Sequence, residues 1–215
     1  MCQDIYKTCD LREGIVMEAN KRIHMMVLSA LLIAIGILIP IISPIKVILE
    51  PMSFTLASHV AIMVALFVSP FAAVATALGT TLGFLLYGFP LAVVLRALSH
   101  VVWALLGALY LKKHPETLNS FWKTGAFMLG VAIVHAVCEV AIVLPLYSGQ
   151  SLNTLLYTVF GLVGVGTIVH SSVDFIISVA VWKVLVRNRS ISSISNVKEA
   201  NLHISIQGEL QEKTI

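Results

Sequence analysis

The sequence predicts an all-α, polytopic membrane protein of six transmembrane helices, and three observations carry that prediction. The 215-residue chain is 58% hydrophobic and only 12% charged, too few charges to coat a soluble domain of this size. Its charges gather at the two ends: between Met25 and Trp182 they are Lys46, Glu50, Arg96, Lys112, Lys113, Glu116, Lys123, Glu139 and Asp174. Finally, the apolar runs approach the roughly 20 residues a helix needs to cross the hydrocarbon core. They are continuous, without the alternation of a β-barrel strand.

The runs define the elements in order. The first extends from Met25 to Ser43, entered after Lys21 and Arg22 and left at Pro40 and Pro44. Ile45 to Pro51 reads as a short loop carrying Lys46 and Glu50, followed by a second span from Ser53 to Ser69 that stops at Pro70. The third, Phe71 to Tyr87, ends in the turn signal Gly88-Phe89-Pro90. The fourth runs from Leu91 to Leu111, stopping at Lys112-Lys113, and the fifth from Thr124 to Tyr147, closed by Ser148-Gly149-Gln150-Ser151. The last apolar region, Leu152 to Val186, is too long for one straight span. Gly161, Gly164 and Gly166 divide it into a short outer segment and a span from about Val165.

Orientation follows from Lys and Arg, which favour the cytoplasmic side. With the N-terminus inside, the cytoplasmic segments hold Arg12, Lys21, Arg22, Lys112, Lys113, Lys123, Lys183, Arg187 and Arg189, and the outer loops hold Lys46. Six spans place both ends in the cytoplasm. The expected organisation is a cytoplasmic segment over 1–23, a six-helix substrate-binding domain over 24–187, and a mobile cytoplasmic tail over 188–215. The first 20 residues are polar and form no signal-peptide core.

Several chemistries lack their motifs. A formal charge of +3 is small for a nucleic-acid binder. Cys2, Cys9 and Cys138 form neither a CxxC pair nor a disulfide framework. GxSxG, HExxH and Walker A sequences are absent, so no catalytic residue is assigned and the chain cannot energise transport from ATP by itself.

An ionisable side chain inside a membrane helix costs about 2.5–3.5 kcal/mol on insertion scales and needs a partner or a task. Arg96 and His100, His135 and Glu139, and His170 and Asp174 are each four residues apart on three successive helices. An i,i+4 pair shares one helix face, so each helix presents one polar patch. At about 1.5 Å per residue, Arg96 and Glu139 lie roughly 8–12 Å below the outer surface, with the three histidines near the midplane. The patches could converge on one outward-open cavity, with His59 joining them from the second span. Arg96 could pair with Glu139 to pin helices together, contact a ligand, or do both. His-x3-Glu and His-x3-Asp spacing could also hold a metal, but Arg96 would repel a cation, and no metal is expected.

Small residues mark helix contacts. Ala30-x3-Ala34, extended by Ser29 and Gly36, lies on the first helix, and Gly79-x3-Gly83 on the third. The glycines are expected to pack inside the bundle; the alanines could face a partner protein.

Length, span count, the AxxxA motif Ala30-x3-Ala34 and the passage ILEPMSFTLASHVAIMVALFVSP, followed by Gly79 and Gly83, together resemble the S-component of energy-coupling factor (ECF) vitamin transporters over about residues 24–187. The resemblance implies a non-enzymatic subunit in a bacterial cell membrane that captures a vitamin-like molecule from outside. Its pocket would be built by helices 4 to 6 and capped by outer loops. Ala30 and Ala34 would face a transmembrane coupling subunit, which carries two cytoplasmic ATPases that use the ATP, and the S-component itself would topple in the membrane. No cofactor is expected on this chain.

The polar groups bear on the substrate. A guanidinium binds a carboxylate bidentately, so Arg96 flanked by histidines suits a small carboxylate, and Trp103 and Tyr147 could stack on a planar ring. Niacin fits best among the family's substrate classes; Glu139 and Asp174 leave a pyrimidine or pyridoxal open. The expected binding residues are Arg96, His100, Trp103, His135, Glu139, His170, Tyr147 and His59. The alternatives are a self-contained proton-coupled carrier, for which the echo of Val134-His135-x3-Glu139 in Val169-His170-x3-Asp174 is the feature to note, and a metal-binding membrane transporter or hydrolase.

Overall fold

The computed structural model describes residues 2–49 and 52–200; Glu50 and the last part of the expected tail, 201–215, lie outside the described residues. The fold is helical. Helix α1 (Cys2–Ile42) joins the polar N-terminal segment and the first apolar run into one 41-residue rod, whose part from Gly14 is long and apolar enough to cross a membrane.

The expected loop over Ile45–Pro51 and the expected second span over Ser53–Ser69 are both corrected. Strands β1 (Lys46–Leu49) and β2 (Met52–Thr55) pair antiparallel, with Lys46 opposite Thr55 and Leu49 opposite Met52. A turn leads from this hairpin to α2 (Val60–Val68), a nine-residue helix buried at every position. Nine residues rise only about 14 Å. Val47, Phe54 and Thr55 are strand-favouring residues, and the hairpin takes up chain that continuous apolarity assigned to a helix.

Ser69 ends α2 and starts α3 (Pro70–Tyr87): its hydroxyl accepts the Ala72 N–H at 3.0 Å, with proline in the first turn where its missing N–H is harmless. Gly88, at φ +86°, supplies the left-handed cap that closes α3. Helix α4 (Leu91–Lys113) and α5 (Phe121–Val143) are joined through a 3-10 turn at Pro115–Asn119, and a second such turn, Leu144–Tyr147, follows α5. The region beyond forms one helical run, α6 (Leu152–Leu185). Instead of breaking near Val165 it passes through a π-helical stretch, Leu155–Val165, an i→i+5 winding that absorbs the glycine-rich sequence without interrupting the rod. A short α7 (Arg189–Ile194) starts with the Asn188 side chain accepting the Ser190 N–H at 2.9 Å.

Five helices are long and apolar enough to span a bilayer among the described residues: α1, α3, α4, α5 and α6. Their packing fixes the path of the chain. A Cβ at Gly79 would come 2.7 Å from Ile33 Cδ1, a Cβ at Gly83 would strike Ile37, and Ser69 Oγ donates to Met25 Sδ at 3.4 Å. Residue numbers thus rise together along α1 and α3, which run parallel with the two glycines at their seam. The chain between them must return to its starting end, and it does so through the hairpin and α2. Short connections make α3, α4, α5 and α6 successively antiparallel. Helix α2 stands in the middle, against α1, α3, α4 and α6, with Phe67 packed on Phe175 and Trp182 of α6.

The residues that follow α7 pack against the bundle. The Asn196 N–H donates to Val68 O at 2.8 Å and the Val197 N–H to Phe67 O at 3.0 Å. These bonds satisfy carbonyls left open at the end of α2, while Val197 and Ala200 join the apolar core.

Candidate substrate site

The three polar patches meet. Arg96 of α4 and Glu139 of α5 are 5% and 2% exposed, and Glu139 Oε2 accepts from Arg96 Nε at 3.0 Å and Nη2 at 2.6 Å. Thr167 of α6 donates to the same oxygen at 3.0 Å. The other oxygen, Oε1, lies 3.4 Å from His100 Nε2 and 3.4 Å from His135 Nε2. One carboxylate thus ties together three helices, and its two oxygens have different company.

His59, at the N-terminus of α2, is the centre of the cluster. Its ring centroid lies 4.8, 4.7 and 5.0 Å from those of His100, His135 and His170. Asp174 of α6 holds it there. Oδ1 accepts the Ala57 N–H at 2.8 Å, and Oδ2 accepts the His59 N–H at 3.0 Å and lies 3.1 Å from His59 Nδ1. Ala57 has φ +67°, a left-handed conformation that L-residues adopt at a cost, and the paired bonds to Asp174 support that turn. His170 Nε2 is 3.2 Å from Ser58 Oγ, and the His170 ring stacks on Phe54 of β2 at 4.7 Å.

A cavity of about 70 Å³ lies beside the cluster. Arg96, His100, Glu139, His59 and Ser58 give it a polar wall, and Ser53 and Thr55 of β2 and Phe84 and Phe89 are also in the lining. The volume holds a few water molecules. The hairpin forms part of the wall, and α1 and α3 contribute Pro40 and Thr80, so the enclosure draws on more of the fold than helices 4 to 6.

Arg96, His100, His135, Glu139, His170 and His59 are brought together. Trp103 is buried behind them, with its ring 5.1 Å from His135 and its Nε1 without a hydrogen-bond partner among the described residues, and it does not line this cavity. Tyr147 lies in the turn after α5, against Val143, Val159 and Val163, away from the cluster. Asp174, Ser58 and Thr167 belong to the site without having been singled out as binding residues. Asp174 carried a signal as a carboxylate within a span; the hydroxyls carried none. Ala30 and Ala34 are exposed on the outer face of α1, whereas Ser29, Leu32 and Gly36 are buried. The alanine motif therefore faces away from α3.

No family model matches the chain, and no solved structure matches it. Over 173 residues the chain is 38% identical to the niacin transporter NiaX of Lactococcus lactis subsp. cremoris (strain MG1363), a stretch covering 76% of this chain and 75% of that protein.

Proposed function

The chain belongs to the niacin-type S-component family, and on that membership we propose that it captures nicotinate, or a closely similar small aromatic carboxylate, for uptake driven by partner subunits. It is a membrane transport protein of the vitamin class and not an enzyme. The observation that carries the substrate reading is Arg96, buried at the wall of a cavity that His59 and His100 also line, in a relative of a niacin transporter.

The chemistry follows from what each group offers. The guanidinium of Arg96 presents forked donors to a carboxylate, and its existing bonds to Glu139 Oε2 hold it at the cavity wall. A pyridine nitrogen is an acceptor, which the Ser58 hydroxyl or an imidazole N–H can meet. Phe84 and Phe89, with centroids 4.8 Å apart, supply an apolar wall for a flat ring. The cavity is about 70 Å³, and Ser53 and Thr55 of the hairpin stand in its wall. Phe54 of the same hairpin stacks on His170, which ties the hairpin to the polar cluster.

In this reading the chain crosses the bacterial cell membrane six times. Five crossings are the long helices, and the other is α2 together with the hairpin that precedes it. Both termini face the cytoplasm, because Lys21, Arg22, Lys112, Lys113, Lys123, Lys183, Arg187 and Arg189 gather at the bundle end opposite the hairpin. Ala30 and Ala34 meet a transmembrane coupling subunit that works with two cytoplasmic ATPases. No cofactor is assigned to the chain in transport.

A thermal-shift screen of the detergent-solubilised protein against water-soluble vitamins tests this. Nicotinate at ~1,000 times its dissociation constant adds about 4 kcal/mol and is expected to give the largest shift. Silence with nicotinate and a clear shift with another vitamin would overturn the substrate assignment.

A further inference from the structure

We propose that His59, His100, His135 and Glu139 form a binding site for one divalent transition-metal cation of the zinc class, set against the wall of the substrate cavity. The proposal goes beyond the substrate reading and stands on this cluster alone. The four residues are buried, and one ligating atom from each lies within 4.8 Å of all the others. They come from α2, α4 and α5, so the convergence is tertiary.

Three features distinguish this cluster from a hydrogen-bonded knot. The first is spacing. Glu139 Oε1 stands 3.4 Å from Nε2 of both His100 and His135, long for an N–H···O bond. Ligands around a tetrahedral zinc, with bonds of about 2.0–2.2 Å, stand roughly 3.3–3.6 Å apart, which matches both separations.

The second is orientation from outside. Metal-bound imidazoles commonly engage their other nitrogen with a carboxylate, carbonyl or water. Here His59 Nδ1 lies 3.1 Å from Asp174 Oδ2, and His135 Nδ1 lies 3.3 Å from Ser171 Oγ. Glu139 is held likewise: Arg96 and Thr167 occupy Oε2, leaving Oε1 turned toward the imidazoles. Arg96, which counted against a cation in the sequence, bonds the oxygen that the ion does not use.

The third is an unmet need. His135 is fully buried, and among the described residues its Nε2 has no hydrogen-bond partner beyond the long contact with Glu139 Oε1 at 3.4 Å, an arrangement that folded proteins rarely leave uncompensated. A cation bound there supplies the missing partner. Charge agrees as well. With neutral imidazoles, the guanidinium of Arg96 and the carboxylates of Glu139 and Asp174 leave one net negative charge. A divalent ion reverses it to one positive, which an anionic ligand in the adjoining cavity then neutralises.

The test is zinc binding to the full chain, purified in detergent through a tag free of histidine and stripped with a chelator. Zinc chloride is titrated in competition with a chromophoric indicator, and metal content is read by mass spectrometry. One equivalent of zinc per chain is expected. His135→Ala is expected to abolish it, and the milder Ser171→Ala, which keeps every ligand, to weaken it about 10-fold or more. His114→Ala, at an exposed position, leaves it unchanged. Absence of stoichiometric zinc in the wild-type chain overturns the proposal, as does wild-type affinity in both His135→Ala and Ser171→Ala. Nicotinate titrated into the stripped protein is a separate readout: it reports on the substrate assignment, so failure of one reading is distinguishable from failure of the other.

Discussion

Asp174 grips His59 by backbone and side chain together: one carboxylate oxygen accepts the His59 N–H at 3.0 Å and stands 3.1 Å from Nδ1 of the same residue. The other oxygen accepts the Ala57 N–H at 2.8 Å. A single side chain on α6 therefore fixes the turn between the hairpin and α2, the segment that carries His59 into the cluster. Asp174→Asn offers an N–H2 group where an acceptor is needed. Each hydrogen bond to a charged group is worth about 1.5–3 kcal/mol, so the variant is expected to melt well below wild type in detergent. An unchanged melting temperature would mean that the turn holds itself.

The Arg96–Glu139 pair gives a second prediction. Removing one partner of a buried ion pair costs about 3–5 kcal/mol because the other charge is left uncompensated. Arg96→Ala should therefore destabilise the protein more than the double variant Arg96→Ala/Glu139→Gln. A thermal double-mutant cycle measures the difference; additive effects would show that the two side chains do not depend on each other.

Ala30 and Ala34 are exposed and face away from α3. Ala34→Trp should leave ligand binding as in wild type and abolish uptake in proteoliposomes that contain the partner subunits. Uptake at the wild-type rate would remove α1 from the coupling role.

The segment after α7 is bonded to the end of α2, with Val197 buried in the core. Full burial of a valine contributes about 1.5–3 kcal/mol. Truncation after Asn188 is expected to lower the melting temperature, whereas truncation after Ala200 retains these contacts and the wild-type value. Equal melting of the two truncated chains would show that the docked segment adds no stability.

The polar pairs were legible in the sequence because charge inside an apolar helix is rare and i,i+4 spacing assigns a face: Arg96, His100, His135, Glu139, His170 and Asp174 all turn inward. The GxxxG seam was legible for a similar reason, since Gly79 and Gly83 repeat at helical spacing and close on Ile33 and Ile37. The hairpin was not. Val47, Ile48, Leu49 and Phe54 are apolar in strands of four residues, too short for alternation to separate them from a helix. Helix α2 is buried all round, and such a helix looks like a lipid-facing span in composition. His59 stood alone in sequence, without a partner four residues away, and its place at the hub depends on Asp174, 115 residues later. Tyr147 could not be placed from its aromatic character, because the 3-10 turn at Leu144–Tyr147 directs it onto the Val143 cluster. Val197 and Ala200 were hidden in a polar tail because two small apolar residues carry no periodicity.

Recognition of a carboxylate by Arg96 is the central functional claim, and calorimetric titration of the purified protein with nicotinate and with nicotinamide tests it most directly. The amide keeps the ring and its nitrogen and removes the charge. Loss of a charged partner from a buried pair costs about 2–5 kcal/mol, so nicotinate is predicted to bind at least ~25-fold more tightly, at 1.4 kcal/mol for each tenfold. Nicotinamide binding as tightly as nicotinate would contradict the account.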